Sequence, residues 1–178
     1  MNSLLHLAVK CGNLECAKVL CQAGISTEIR NWSGESPLHL SCDKNSVLYL
    51  LLRGANSNAT DIYGRTPLHA TILRDKKGFP IVEALLSDPN IHINYKDNNG
   101  NTPLHLSIML GLSRTACYLL NHGANVTIRN NDGVTAFTLI KLKMPHVIHN
   151  IKDSLDCAIS IRQNEPADFD CLLYLDFR

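Results

Sequence analysis

No apolar run in this sequence approaches the ~18–20 residues needed to cross a bilayer, and neither sign of charge dominates. Seventeen basic residues stand against sixteen acidic ones over 178 residues, a formal net charge of +1. The densest basic cluster, RDKK at residues 74–77, is diluted by Asp75. This balance leaves no electrostatic footprint for nucleic acid or for an anionic lipid surface. No membrane insertion by this segment itself is expected. The N-terminus, MNSLLHLAVKCGN, has neither the basic segment nor the uninterrupted apolar segment of a secretory signal. At the other extreme, hydrophobic residues make up 45% of the chain, which suits a globular core and excludes disorder.

Motifs that carry chemistry are equally scarce. There is no phosphate-binding glycine loop, no HExxH and no GxSxG. Acidic residues are scattered and no carboxylate pair stands out. The expectation is therefore a non-enzyme without catalytic residues or cofactors. None of the seven cysteines (11, 16, 21, 42, 117, 157 and 171) forms a CxxC, which argues against a zinc ribbon or a thioredoxin-like site. An odd count without a signal peptide argues against a disulfide framework. The thiols read as reduced, small buried hydrophobes. His146 and His149, with Cys157 nearby, imitate half a zinc site, but the second pair is missing, so no metal is expected. Three glycosylation sequons begin at Asn31, Asn58 and Asn125, and outside the secretory path they carry no meaning.

What the chain does contain is a repeat. SLLH starts at Ser3, SPLH at Ser36, TPLH at Thr66 and Thr102, and a degraded TAFT at Thr135, with spacings of 33, 30, 36 and 33 residues. Before each later copy lies a turn with glycine in one place: Gly34, Gly64, Gly100 and Gly133. After each copy comes an apolar run, as in AKVLCQAG and TACYLLNHGA. Ser or Thr before proline suits a helix N-cap, and proline suits the first helical position. Gly24, Gly54 and Gly123 fall where a helix end wants a left-handed residue. Three sets are expected to form the core face of the second helices: Leu48, Leu51 and Leu52; Val82, Leu85 and Leu86; Ala116, Leu119 and Leu120. One such unit cannot bury its face alone, so the stack is the folding unit.

These residues resemble the ankyrin repeat, with its period of about 33 and its TPLH signature. The resemblance implies an all-α solenoid of helix-turn-helix units joined by β-turn fingers. It covers residues 1–142, about four repeats with the last degraded. It implies a structural role for His6, His39, His69 and His105, which would hydrogen-bond within and between repeats. It also implies a protein partner held by the fingers and the concave helix face. Two copies deviate. The Ser36 copy is short around CDKNSV, and the Thr66 copy is long, with Gly78 and Pro80 marking an extra loop between its helices.

From residue 143 the period fails. HVIHNIKDSLD reads as an amphipathic helix with Val147, Ile151 and Leu155 on one face. CAISI and CLLYLDF, around a polar loop with Pro166, read as a β-hairpin. Residues 143–178 thus form a linker or cap. The order of parts, MP, then SLD-C-I at residues 154–159, then an acidic loop, then LDF, resembles the segment that joins the ankyrin stack to the membrane region in TRPA-type cation channels of the insect Painless and Pyrexia kind. The first repeat opens at NSLLH without a finger, and the last residues, DFDCLLYLDFR, end on an apolar run. Both read as signs of an excised fragment.

The resemblance implies the membrane-proximal cytoplasmic part of a channel, coupling the stack to the gate, with other channel subunits as partners in a tetramer. It also brings Cys157 forward as a candidate reactive thiol, although no lysine stands immediately beside it. The alternative is a free-standing cytoplasmic adaptor, or an inhibitory effector, that binds a partner protein through the same surface. In either case Arg30, Trp32, Ile62 and Tyr63 are the binding candidates, because aromatics and arginine dominate hot spots. Asn98, Asn99, Asn131 and Asp132 continue that surface and equally suit plain turn chemistry.

Overall fold

A computed structural model describes residues 1–74 and 78–145. Nine helices lie among the described residues: α1 (Leu4–Lys10), α2 (Leu14–Gln22), α3 (Pro37–Leu40), α4 (Lys44–Leu52), α5 (Pro67–Arg74), α6 (Phe79–Leu86), α7 (Pro103–Met109), α8 (Ser113–Asn121) and α9 (Ala136–Lys143). The only β feature among them is one isolated antiparallel bridge between Arg129 and Thr135. The expected tail helix and hairpin, His146, His149 and Cys157 lie outside the described residues.

Each first helix begins as its motif dictates. Ser3, Ser36, Thr102 and Thr135 occupy N-cap positions in extended conformation. The side chains of Ser3, Thr102 and Thr135 accept the N–H three residues on. At the far ends of α2, α4 and α8, Gly24, Gly54 and Gly123 take φ of 89°, 84° and 88°, conformations that a Cβ would oppose.

The helices form two layers. In the inner layer α1, α3, α5, α7 and α9 lie side by side in that order, and in the outer layer α2, α4, α6 and α8 do the same. The core fills the space between the layers with the same position from each of the first four repeats. Leu5, Leu38, Leu68 and Leu104 of the inner helices are at most 1% exposed, as are Ala17, Val47, Val82 and Ala116 of the outer ones.

Three expectations need correction. In α4 the buried residues are Ser46, Val47 and Leu50. Leu51 is only partly buried, Leu48 is exposed, and Leu52 is 84% exposed. Residues 47–52 are all apolar, so periodicity sets no phase there, and the N-cap at Asp43 fixes it instead. The sets in α6 and α8 hold, with Leu86 partly buried. Pro80 is not in a loop; it sits in the first turn of α6, after an N-cap at Gly78. Of the described cysteines only Cys21 is buried, while Cys11, Cys16 and Cys42 are exposed.

The two irregular repeats compensate each other. The short copy loses its residues from the first helix, leaving α3 with four residues where α1, α5, α7 and α9 have seven or eight. A helix cut that short leaves carbonyls without partners. Arg74, at the end of α5 in the long copy, supplies them: one guanidinium nitrogen donates to His39 O at 3.1 Å and another to Ser41 O.

Two stability measurements test this packing, both by urea unfolding followed by circular dichroism. Leu50→Ala is expected to cost ~2–5 kcal/mol, whereas Leu52→Ala should stay within about 0.5 kcal/mol of the parent; equal losses would mean that the phase of α4 is wrong. Arg74→Ala is expected to cost about 1–3 kcal/mol through the two carbonyls it orphans, and an unchanged midpoint would remove Arg74 from that role.

Candidate functional site: a ledge of stacked fingers

Between one repeat's outer helix and the next repeat's inner helix the chain makes a tight finger, built the same way four times. Its first residue is Asn31, Asp61, Asp97 or Asn130. In each case the side-chain Oδ1 accepts two N–H groups, from the residues two and four places on, at 2.8–3.1 Å. This is the Asx-turn chemistry that selects Asn or Asp here. The fourth residue is always glycine, with φ between 71° and 74°.

The fingers stack in register. Ile62 N–H donates to Ser33 O at 3.1 Å, Asn98 N–H to Tyr63 O at 3.0 Å, and Asn131 N–H to Asn99 O at 3.0 Å. Glycine serves this contact too. A Cβ on Gly64 would sit 3.0 Å from the Asn98 nitrogen, and one on Gly100 would sit 2.7 Å from the Asn131 nitrogen. The tips therefore form one continuous ledge.

All eight described candidate residues lie on the ledge, but they divide into two kinds. Trp32 is 87% exposed, Ile62 58% and Tyr63 54%, which makes an apolar patch across the first two fingers. The outer two fingers are polar and bound to their neighbours. The Asn98 side-chain amide donates to Ile62 O at 3.2 Å, and that of Asn131 to Asn98 O at 2.9 Å. Asn99 O accepts the Asn131 N–H, and Asp132 accepts from Asn130 Nδ2 at 3.5 Å. Arg30 is exposed yet engaged: it donates to Gly34 O at 2.8 Å and to Thr60 O at 3.0 Å, joining the first finger to the base of the second. Beneath Tyr63, the Arg65 guanidinium lies 4.5 Å from the ring centroid and pairs with buried Asp61 at 2.6 Å. Burial pushes the Asp61 carboxyl up, but hydrogen bonds from the Arg65 side chain and from two backbone N–H groups outweigh it and hold the carboxyl below the usual range.

One further row was not singled out from the sequence. Leu73, Met109 and Leu142 stand at the same offset from Thr66, Thr102 and Thr135, and each is 41–75% exposed, with Leu110 beside them. They line the inner-helix layer. The sequence carries the signal as a shared offset of an apolar residue from each motif threonine.

The ledge is fixed to the inner layer by the four motif histidines, all fully buried. Each Nδ1 accepts the backbone N–H of its own Ser or Thr at 3.1–3.3 Å. Each Nε2 meets a carbonyl on the return arm of the next finger: Glu35, Arg65, Asn101 and Val134, at 2.9–3.2 Å. An N–H on one nitrogen and a carbonyl on the other require the neutral Nε2–H tautomer. Burial, the largest influence, pushes all four histidines below their ordinary value, and the carbonyl bonds return only part of that. The fifth copy has Thr138 in this place; its N–H and hydroxyl bond back to Thr135.

Among the described residues no group of three His, Cys, Asp or Glu side chains is arranged for a metal, and no helix is long and apolar enough to cross a membrane. An open groove lies at the ends of α4 and α6, lined by Leu48, Leu51, Asn58 and Pro89 among others. The family model of ankyrin repeats, in three copies, matches residues 1–61 and 42–130. Human Rabankyrin-5 is 29% identical, with 80% of this chain and 14% of Rabankyrin-5 covered. The mouse nuclear factor NF-kappa-B p105 subunit is 31% identical, spanning 72% of this chain and 14% of its own length. Mouse neurogenic locus notch homolog protein 1 is 34% identical, spanning 76% of this chain and 5% of its own. The chain thus matches only a small part of these relatives.

Neutral, buried histidines make the ledge acid-sensitive. Their folded pKa values lie below the unfolded value, so the unfolded chain takes up protons first. Stability should be full above about pH 6.5 and fall as pH drops below it, by at most about 1.4 kcal/mol per pH unit for each histidine. Urea midpoints from pH 8 to pH 5 test this, and a flat profile would contradict the neutral tautomer. The Asp61 carboxyl acts in the same direction only below its own ordinary range, so it does not confuse the window.

Proposed function

The chain belongs to the ankyrin-repeat family, and we propose that it is a non-catalytic module that holds a partner protein on the ledge formed by its first two fingers. The observation that carries this reading is the exposed apolar patch of Trp32, Ile62 and Tyr63 on a rigid, hydrogen-bonded scaffold. Exposed aromatics on preorganised backbone are what interface hot spots are made of. The exposed row of Leu73, Met109, Leu110 and Leu142 is a second apolar feature, carried by the ends of the inner helices. The polar outer fingers, whose amides are spent on holding the ledge together, suit a rim.

A second, finer reading is supported by the motif order in residues 143–178 alone: a cytoplasmic segment of a TRPA-type channel, with Cys157 in its linker and other subunits as neighbours. The native transcript beyond the Arg178 codon tests it. A frame running on into several ~20-residue apolar segments is the expected result, and a stop codon there would leave the adaptor reading.

For the ledge itself, the chain is used as bait in extract of its own cells, beside two variants. A partner recovered saturably by the parent should fall at least tenfold with Trp32→Ala, the scale of a hot-spot loss, and hold steady with Leu52→Ala on the outer layer. Equal recovery by Trp32→Ala would place binding elsewhere.

A further inference from the structure

The inner helices α1, α3, α5, α7 and α9 contain no aspartate and no glutamate. They do carry Lys10, Arg74, Lys141 and Lys143, all in last turns. Arg74 is engaged with the carbonyls of α3. Lys141 and Lys143 are exposed on either side of Leu142. A lysine in a last turn suits the dipole of its own helix. Lys143, however, reaches sideways: its Nζ donates to Met109 O at 3.4 Å, at the end of α7. Its charge therefore stands beside the neighbouring helix as well. In the second copy the position equivalent to Met109 holds Asp43, whose carboxylate is turned inward and caps α4.

Beside these charges the edge is apolar. Leu73, Met109 and Leu142 stand at one offset after Thr66, Thr102 and Thr135, on helices that pack side by side, and are 41%, 45% and 75% exposed. Single exposed leucines are ordinary, but three at one offset on adjacent helices make a stripe. Packed helices lie about 8–10 Å apart, so the stripe offers an apolar side chain at each such step. An α-helix returns to the same face every seven residues, a rise of about 10.5 Å. We propose that the stripe docks an acidic amphipathic helix of a partner protein. Its apolar residues, spaced by sevens, meet Leu73, Met109 and Leu142, and its carboxylates meet Lys141 and Lys143. The inner helices set no carboxylate of their own against it. The near-neutral chain, with no basic run, favours such a segment over nucleic acid or anionic lipid. The proposal rests on the reading of the chain as a module that holds a protein, and it does not depend on the ledge.

The probe is a synthetic helical peptide with leucine at every seventh position and glutamates flanking each leucine, titrated into the methyl-labelled full chain and followed by nuclear magnetic resonance. Saturable shifts of the Met109, Leu73 and Leu142 methyls are expected, with the Trp32 indole unmoved and binding weakened by added salt. Lys141→Glu with Lys143→Glu should weaken binding at least about tenfold, the scale of two reversed ion pairs. Leu142→Ala, on a side chain already in water, should weaken it with the charges intact. Absence of a saturable shift overturns the proposal, as does equal binding of a peptide with lysine in place of every glutamate. Shifts confined to the Trp32 indole also overturn it while leaving the ledge reading standing. Phosphatidylserine vesicles that move the same methyls when the glutamate peptide does not would assign the stripe to a membrane surface instead.

Discussion

The stack depends on one short-range tie made four times: a buried, neutral imidazole whose Nδ1 closes its own helix cap and whose Nε2–H reaches the return arm of the next finger. Local cap and inter-repeat contact thereby become one interaction. A repeat cannot shift against its neighbour without opening a buried cap, and a buried polar group left unmade is costly. Leucines at a fixed offset supply the bulk of the burial, but apolar packing is non-directional. The imidazole supplies the direction, and with it the register in which the fingers meet.

That register is tight enough to constrain length, yet the chain carries one short and one long copy. The structure absorbs both away from the fingers. The deletion shortens α3, and the added residues fall between α5 and α6 and between α6 and the next finger, outside the finger turns themselves, so each finger still presents its N–H to the one before it. Arg74 then mends the cut helix from the neighbouring repeat. Irregularity is tolerated where the backbone can be served by a side chain and excluded where backbone meets backbone.

Much of this was legible in the sequence because it repeats. Caps, finger glycines, histidines and helix ends recur at fixed offsets, so chance resemblance at one copy is corrected by the others. Legibility failed where a copy is locally featureless. Residues 47–52 are uniformly apolar, and no period told Leu50 from Leu52. It also failed where one residue type does two jobs. Asn98 and Asn131 read as exposed tip residues, and they are, but their amides reach back to the preceding finger. Nothing in the sequence paired Arg74 with the carbonyls of a helix some thirty-five residues earlier in the chain.

The exposure of Trp32 has a spectroscopic consequence. It is the chain's single tryptophan, and it stands in water on the first finger while the core it is often asked to report on holds none. Its emission is therefore already that of a solvated indole in the native state, nearly blind to unfolding. A blue shift or a loss of accessibility to a soluble quencher would signal occupation of the ledge instead. The protein carries a built-in optical probe of its surface and almost none of its fold.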